Sequence, residues 1–261
     1  MSETTRRSFL KQGSLGVAGA AVVSSLPKQA RAAANDKLVM GLIGCGGRGS
    51  HVAELLTRSD NVEFAYVCDP DQVRLTRASE KFSATSPKAV DDMRRVFDDP
   101  AVDAVLVATP NHWHAPASIL ACEAGKHVYV EKPCSHNIRE GRLLIDAARK
   151  NRRVVQHGTQ MRSTAMIQQA VNALRDGVIG DVMMAKAWNV QQRRSIGHEQ
   201  PSDPPAELDY DLWVGPAPMV PYRSNCHHGS WNWWYHFGTG DMGNDGVHDI
   251  DYARWGLAVE T

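Results

Sequence analysis

The residues best suited to chemistry stand at the ends of short apolar runs. Gly44-Cys45-Gly46-Gly47-Arg48-Gly49 spaces three glycines as GxGxxG directly after the run Leu38–Ile43. Gly44 permits a tight turn. Gly46 lets the backbone approach a pyrophosphate seated on the N-terminus of the following helix, and Gly49 lets that helix pack closely on the strand. Gly47 and Arg48 fall inside the same cofactor-binding loop. Asp69 follows Gly49 by 20 residues, at the tip of the second apolar run. At that spacing a carboxylate meets the ribose 2′-hydroxyl of a dinucleotide. Such a carboxylate repels a 2′-phosphate, so NAD is expected ahead of NADP. The alternative is a plain glycine turn with Asp69 capping a helix. Arg74 reads as part of a solvated helix face.

Two more polar stretches follow later strands. Thr109-Pro110-Asn111-His112-Trp113-His114 lies after the third apolar run, at the carboxyl end of the sheet where ligands of such folds bind. Thr109, Asn111, His112 and His114 are candidates to edge the nicotinamide ribose; a proline turn with a helix N-cap is the competing reading. The His112/His114 pair suggests a metal, but spacing supplies no third ligand. Cys45, Cys68, Cys122, Cys134 and Cys226 form no CxxC, so no metal site and no disulfide framework are expected. Glu131-Lys132-Pro133 ends the next run. Glu131 joins the cofactor-binding candidates. Lys132, held beside a cofactor, can hydrogen-bond a substrate hydroxyl and shift its ionisation; the ordinary alternative is an exposed lysine at a strand end.

These residues need a scaffold, and the hydrophobic pattern supplies one. Short apolar runs at Leu38–Ile43, Val62–Cys68, 104–108, 128–130 and 154–155 alternate with helical stretches at 116–124 and 138–150. Strands buried on both faces and separated by helices predict an α/β fold with a parallel, doubly wound sheet over residues 35–158. From residue 159 the character changes. An amphipathic helix is expected around 167–174, a strand with Trp188 over 182–190, a proline-rich loop over 200–221, and a helix over 248–257. A single strand cannot form a sheet, so the second domain, 159–261, is expected to be incomplete.

Residues 1–34 read as an address. Arg6-Arg7 within Thr5-Arg6-Arg7-Ser8-Phe9-Leu10-Lys11, the small apolar stretch that follows, and Ala30-Arg31-Ala32 match a bacterial twin-arginine export signal with its cleavage site. The expected location is periplasmic or extracytoplasmic, with no membrane span after cleavage. The chain balances 29 basic against 29 acidic residues, which leaves no field to hold a nucleic acid.

The ordered set from Gly44 through Asp69, Thr109–His114 and Glu131-Lys132-Pro133 resembles the Gfo/Idh/MocA oxidoreductases, from about Lys37 onward. The resemblance implies a Rossmann domain followed by an α/β domain, NAD(P), and chemistry on a sugar, polyol or related carbohydrate hydroxyl. It also implies a catalytic or substrate-orienting role for Lys132. The family's D-x-G-x-H-x-x-D stretch aligns with Asn244-Asp245-Gly246-Val247-His248-Asp249-Ile250-Asp251. His248 then becomes the second catalytic candidate, four residues from Asn244 and expected on the same helical face. Asn244 stands where many members carry aspartate; it orients a hydroxyl but takes no proton. Arg162 and Gln160 are expected to line the substrate cleft, and Trp231, Trp233, Trp234 and Tyr235 to form an aromatic cluster. Alternative readings are an NAD-dependent glycosidase working by transient oxidation and elimination, and a non-catalytic dinucleotide-binding remnant. A homo-oligomer is compatible with the resemblance.

Overall fold

The computed structural model describes residues Lys37–Ala258; the export-signal reading of residues 1–34 lies outside them. Six strands form one fully parallel sheet: β1 (Leu38–Ile43), β2 (Val62–Cys68), β3 (Lys88–Val90), β4 (Ala104–Val107), β5 (His127–Glu131) and β6 (Val155–Gly158). Their order is β3-β2-β1-β4-β5-β6, the doubly wound order whose switch point lies between β1 and β4. Three-residue β3 escaped the sequence reading because its run is too short for a periodicity signal.

Helices connect the strands. They are α1 (Gly47–Leu56), α2 (Gln72–Lys81), α3 (Arg94–Phe97), α4 (Asn111–Glu123) and α5 (Ile138–Asn151). Successive strand residues point to opposite faces, and each face has its own core. Met40 and Leu42 of β1 join Phe64, Val67, Leu75 and Leu106 on one side. Ile43 joins Val96, Val105, Val107, Ala117, Ala121 and Val130 on the other. Burial on both faces explains why the strands read as continuous apolar runs rather than alternating ones.

The helix expected over 116–124 begins five residues earlier, at Asn111, so Pro116 sits inside α4. Proline lacks an N–H and usually marks a first turn. Here the helix starts directly after Pro110, so Thr109 and Pro110 belong to the short connection after β4 and Asn111–His114 form the first turn of α4.

Beyond β6 run α6 (Ala165–Arg175), α7 (Tyr210–Val214), α8 (Gly240–Asn244) and α9 (Gly246–Gly256). The strand expected over 182–190 is absent: residues 184–200 carry no regular structure, and Met183, Trp188 and Val190 are exposed. With no partner strand beside them among the described residues, these backbone groups gain nothing from extended pairing. The stretch 200–221, expected to be all loop, contains α7, begun by Asp209, whose side chain accepts from the Leu212 N–H at 2.9 Å. Trp213, Val214, Tyr222, Cys226 and Phe237 build a third small core, with Trp231 and Trp234 packed against it. Trp233 and Tyr235 of the expected aromatic cluster are exposed.

Candidate active site

The glycine loop follows directly from β1. Gly44 takes a positive φ of 91°, and a Cβ there would meet the Ala108 carbonyl oxygen at 2.6 Å. A Cβ on Gly49 would lie 2.0 Å from the Gly44 oxygen, whereas one on Gly47 meets nothing within 4 Å. The loop is thus tight where α1 packs on β1 and open where a ligand approaches. Beside it lies a cavity of about 520 Å³ whose wall includes Gly44, Gly46, Gly47, Arg48, Asp69 and Thr109. Gly49 is behind the wall, as a packing glycine should be.

Asp69 ends β2 and is buried. Its Oδ2 accepts from the Cys45 N–H at 2.8 Å and its Oδ1 from the Asp71 N–H at 3.0 Å, so the carboxylate also holds the glycine loop in place. Burial raises its pKa, opposed by these N–H groups and by Arg74. Arg74 corrects the sequence reading. It lines the cavity, and its guanidinium lies 2.7 Å from where a Gly46 Cβ would stand. Gln72 and Val73 of the first turn of α2 are exposed, but Arg74, the next residue after them, turns to the ligand space from a helix that Asp71 caps just after β2.

Arg48 lines the cavity and is also committed to Glu131, through Nε at 2.8 Å and a second nitrogen at 2.7 Å. Glu131 is buried away from the cavity wall, where its other oxygen receives the Lys132 N–H at 3.2 Å. It couples the glycine loop to the Glu-Lys-Pro turn. The Thr109 Oγ1 is buried with no protein partner, as a group awaiting a ligand hydroxyl would be.

Three expected cofactor contacts sit elsewhere. Asn111, His112 and His114 are buried off the cavity wall. Asn111 Oδ1 accepts from Thr239 at 2.8 Å. The His112 ring nitrogens face the carbonyls of Trp213 at 3.2 Å and Phe237 at 3.4 Å; those of His114 face Pro133 at 2.5 Å and Thr109 at 2.8 Å. Burial pushes His112 down to about 4 and lowers His114 as well. These side chains fasten α4 to the third core and to the Glu-Lys-Pro turn. Trp113, passed over in the sequence, faces the cavity instead. Helical geometry turns residue 113 about 100° from each of its neighbours.

Lys132 and Asn244 meet. The Lys132 ammonium donates to the Asn244 carbonyl at 2.8 Å and to its Oδ1 at 2.7 Å. The expected single helix through Asn244 and His248 is broken at Asp245, where α8 stops and α9 begins. The His248 N–H goes to the Asp245 carbonyl at 2.9 Å. The Asn244 carbonyl is therefore spared from the helix ladder and free to receive the lysine. Burial lowers the pKa of Lys132. Burial, and then the Lys132 charge, lower that of His248, whose Nδ1 is buried with no protein partner.

His157, at the end of β6, was missed by the sequence reading. Its Nε2 and the Gln160 Oε1 are likewise buried and unpartnered. Burial lowers the His157 pKa, while nearby Asp251 raises it and His248 opposes it. A signal was present: a histidine two residues before the expected domain change, at a strand's carboxyl end. Arg162, expected to line the substrate cleft, is held by an acidic partner. It makes a two-nitrogen ion pair with Asp251, with contacts of 2.7 to 3.1 Å, and lies over the Trp255 ring at 4.9 Å.

Comparison with known proteins agrees with this geometry. Residues 38–159 match the oxidoreductase family model described as the NAD-binding Rossmann fold of Gfo/Idh/MocA proteins, and residues 182–260 match its C-terminal alpha/beta domain. A protein of Shewanella baltica named as a glycosyl hydrolase family 109 protein is 28% identical over 221 residues, covering 74% of this chain and 48% of the relative. A 3-ketoreductase from Actinomadura kijaniata, solved with NADP and TDP-benzene, superposes with a TM-score of 0.51 at 25% identity over 56% of this chain and 44% of that one. The WlbA dehydrogenase from Bordetella pertussis, solved with NADH and UDP-GlcNAcA, shares the fold at a TM-score of 0.65 and 22% identity over 85% of this chain and 55% of that one. The chain spans less than half the length of the curated relatives it matches. With the 3-2-1-4-5-6 sheet, the glycine loop and both matched domains in place, the chain belongs to the Gfo/Idh/MocA family of oxidoreductases, with a Rossmann domain of the NAD-binding kind.

Proposed function

We propose that this chain oxidises or reduces a hydroxyl-bearing carbon of a sugar or polyol, using NAD held in the cavity beside the glycine loop. One observation carries the reading: Lys132, from the Rossmann sheet, and Asn244 and His248, from the later helices, converge on one polar cluster joined to the cofactor loop through Glu131 and Arg48. The open face at Gly47 and the unpartnered Thr109 hydroxyl fit a dinucleotide. Gly44, Gly46 and Gly47 would hold its pyrophosphate and Asp69 its ribose. When bound, NAD supplies a two-electron acceptor for the hydrogen on the carbinol carbon. The Lys132 ammonium orients the substrate hydroxyl oxygen. His248, kept neutral at pH 7, takes the hydroxyl proton at its unpartnered Nδ1. Asn244 positions the lysine.

The test is kinetic, in the full chain. Lys132→Ala and His248→Ala should each lower turnover about 10²–10⁴-fold, with NAD affinity nearly unchanged, and Asn244→Ala should cost less. Near-normal turnover in His248→Ala beside severe loss in Asn244→Ala would reverse the roles.

The 28% identity to a protein named for glycoside hydrolysis supports a second reading: the same cluster serves a transient oxidation followed by elimination of the aglycone, with no net redox change. Turnover with aglycone release and no external NAD distinguishes it. The proposal also places the mature protein outside the cytoplasm, on the strength of the Arg6-Arg7 segment.

A further inference from the structure

At the rim of the cofactor cavity, away from Lys132 and His248, three metal-ligating side chains from distant parts of the chain meet. Asp71 caps α2, and its Oδ1 accepts from the N–H groups of Val73 at 2.8 Å and Arg74 at 3.1 Å. The carboxylate is thereby fixed with Oδ2 turned to His228, whose Nε2 stands 2.6 Å away. His227 lies next to it with an Nε2 that is buried and has no partner. One ring nitrogen from each histidine and one Asp71 oxygen fall within 4.8 Å of one another.

An orphaned buried imidazole nitrogen is costly unless something binds it. No protein group reaches this one, and the same ring places a nitrogen within 4.8 Å of the His228 and Asp71 ligand atoms. A neutral imidazole has one lone pair to give, and the proton that His228 Nε2 shares with Asp71 at 2.6 Å is released when a metal ion takes its place. The local charge also fits: both Asp69 and Asp71 act on the Arg74 guanidinium, so two carboxylates stand beside the site.

We propose that Asp71, His227 and His228 bind one divalent transition metal ion of the zinc class, leaving a coordination position open towards the cavity. Two imidazoles and a carboxylate are a ligand set that zinc and its neighbours accept. Bonds of about 2.0–2.2 Å in a tetrahedral site set ligand atoms roughly 3.3–3.5 Å apart. The 2.6 Å His228–Asp71 contact therefore needs to open by less than about 1 Å to admit the ion. The α2 N-terminus supplies the outer-shell hydrogen bonds that such ligands require. His228 and Gly229 line the cavity, so water or an anionic ligand group can take the open position.

The ion would pin the 226–229 turn to the cap of α2. The chain already touches there through the Gln72 N–H to the Glu207 carbonyl at 2.9 Å and the Asp209 N–H to the Pro70 carbonyl at 3.0 Å. Its role is to hold the wall of the cavity; no residue is shared with the Lys132 cluster.

The test uses the full chain, purified without chelators, dialysed against metal-free buffer and analysed for zinc by mass spectrometry. Chelator-treated protein is then titrated with Co²⁺ and followed by visible absorption. The expected result is one retained zinc per chain, and Co²⁺ d–d bands that Zn²⁺ abolishes. His228→Gln and Asp71→Asn should each weaken Zn²⁺ binding by about 10-fold or more. Asparagine caps a helix as well as aspartate does, so Asp71→Asn keeps α2 intact and decides the matter if the histidine variants fail to fold. No retained zinc and no d–d bands in the unaltered chain would overturn the proposal. Equal zinc affinity in Asp71→Asn would do the same, since the ion would then sit elsewhere.

Discussion

Gly49→Ala is the sharpest test of the cofactor loop. The added Cβ would lie 2.0 Å from the Gly44 oxygen and 3.2 Å from the Ala108 Cβ, whereas real Cβ atoms essentially never approach a neighbour closer than 3.0 Å. Helix α1 or the Gly44 turn must therefore yield by about 1 Å. Both neighbours are backbone or core, with no flexible side chain to swing away, so the strain of overpacking applies, about 1–3 kcal/mol. For a domain of this size that corresponds to a fall in Tm of about 2–12 °C. The same displacement carries the α1 N-terminus away from the pyrophosphate position. NAD affinity should drop about 10–100-fold, equivalent to about 1.4–2.8 kcal/mol. Gly47→Ala is the matched control: its Cβ meets nothing within 4 Å, it stands first in α1, and it should melt at or slightly above the unaltered temperature. Calorimetric titration with NAD and thermal melts of both variants decide the question. Wild-type affinity and melting in Gly49→Ala would refute the argument that this contact sets the loop.

Asp69→Ala should weaken NAD binding by about 1–3 kcal/mol and narrow the gap to NADP; it also strips the Cys45 and Asp71 N–H groups of their acceptor, so a lower Tm is expected with it. NADP binding ahead of NAD in the unaltered protein would defeat the reading of Asp69. Burial holds His112 at about 4 in the folded chain, below the 6.5 of a free imidazole. The unfolded chain then binds the extra proton first, so this contribution to stability is present above pH 6.5 and lost as pH falls towards 4. The loss is about 3 kcal/mol from this residue, and urea melts at pH 7 and pH 4 should show it, with less acid sensitivity in His112→Gln. The His248 imidazole, lowered by burial and then by Lys132, should titrate below 6.5 in NMR spectra and move upward in Lys132→Met; an unmoved midpoint would separate the two residues. Replacing Arg6 and Arg7 with lysine should leave the protein uncleaved in the cytoplasm, as cell fractionation would report.

Much of this molecule is legible in one dimension because the relevant physics is local. GxGxxG after an apolar run, a carboxylate 20 residues on, and buried strands alternating with helices all express backbone sterics and burial within a few dozen residues. They give the doubly wound sheet, the cofactor loop and Glu131-Lys132-Pro133 without any long-range contact. The errors arise where partners lie far apart in sequence. His112 and His114 look like ligand groups until Trp213, Phe237 and Pro133 arrive to occupy their ring nitrogens. Nor does the sequence pair Arg162 with Asp251, 89 positions away. Arg74 looks solvated because nothing in its own helix shows that the cap at Asp71 turns it to the cavity. A strand over 182–190 satisfies propensity, yet strand formation depends on a neighbour that propensity cannot supply. The Lys132–Asn244 contact spans 112 positions and exists only because Asp245 interrupts a helix and frees one carbonyl. Asp71 and His228, 157 positions apart, are brought together by the same route. Composition and spacing determine which groups the chain carries and which strand ends present them; which nitrogen stays unpaired, and which ammonium meets which carbonyl, is decided when the later helices pack against the sheet, because hydrogen-bond satisfaction is settled among all buried groups at once.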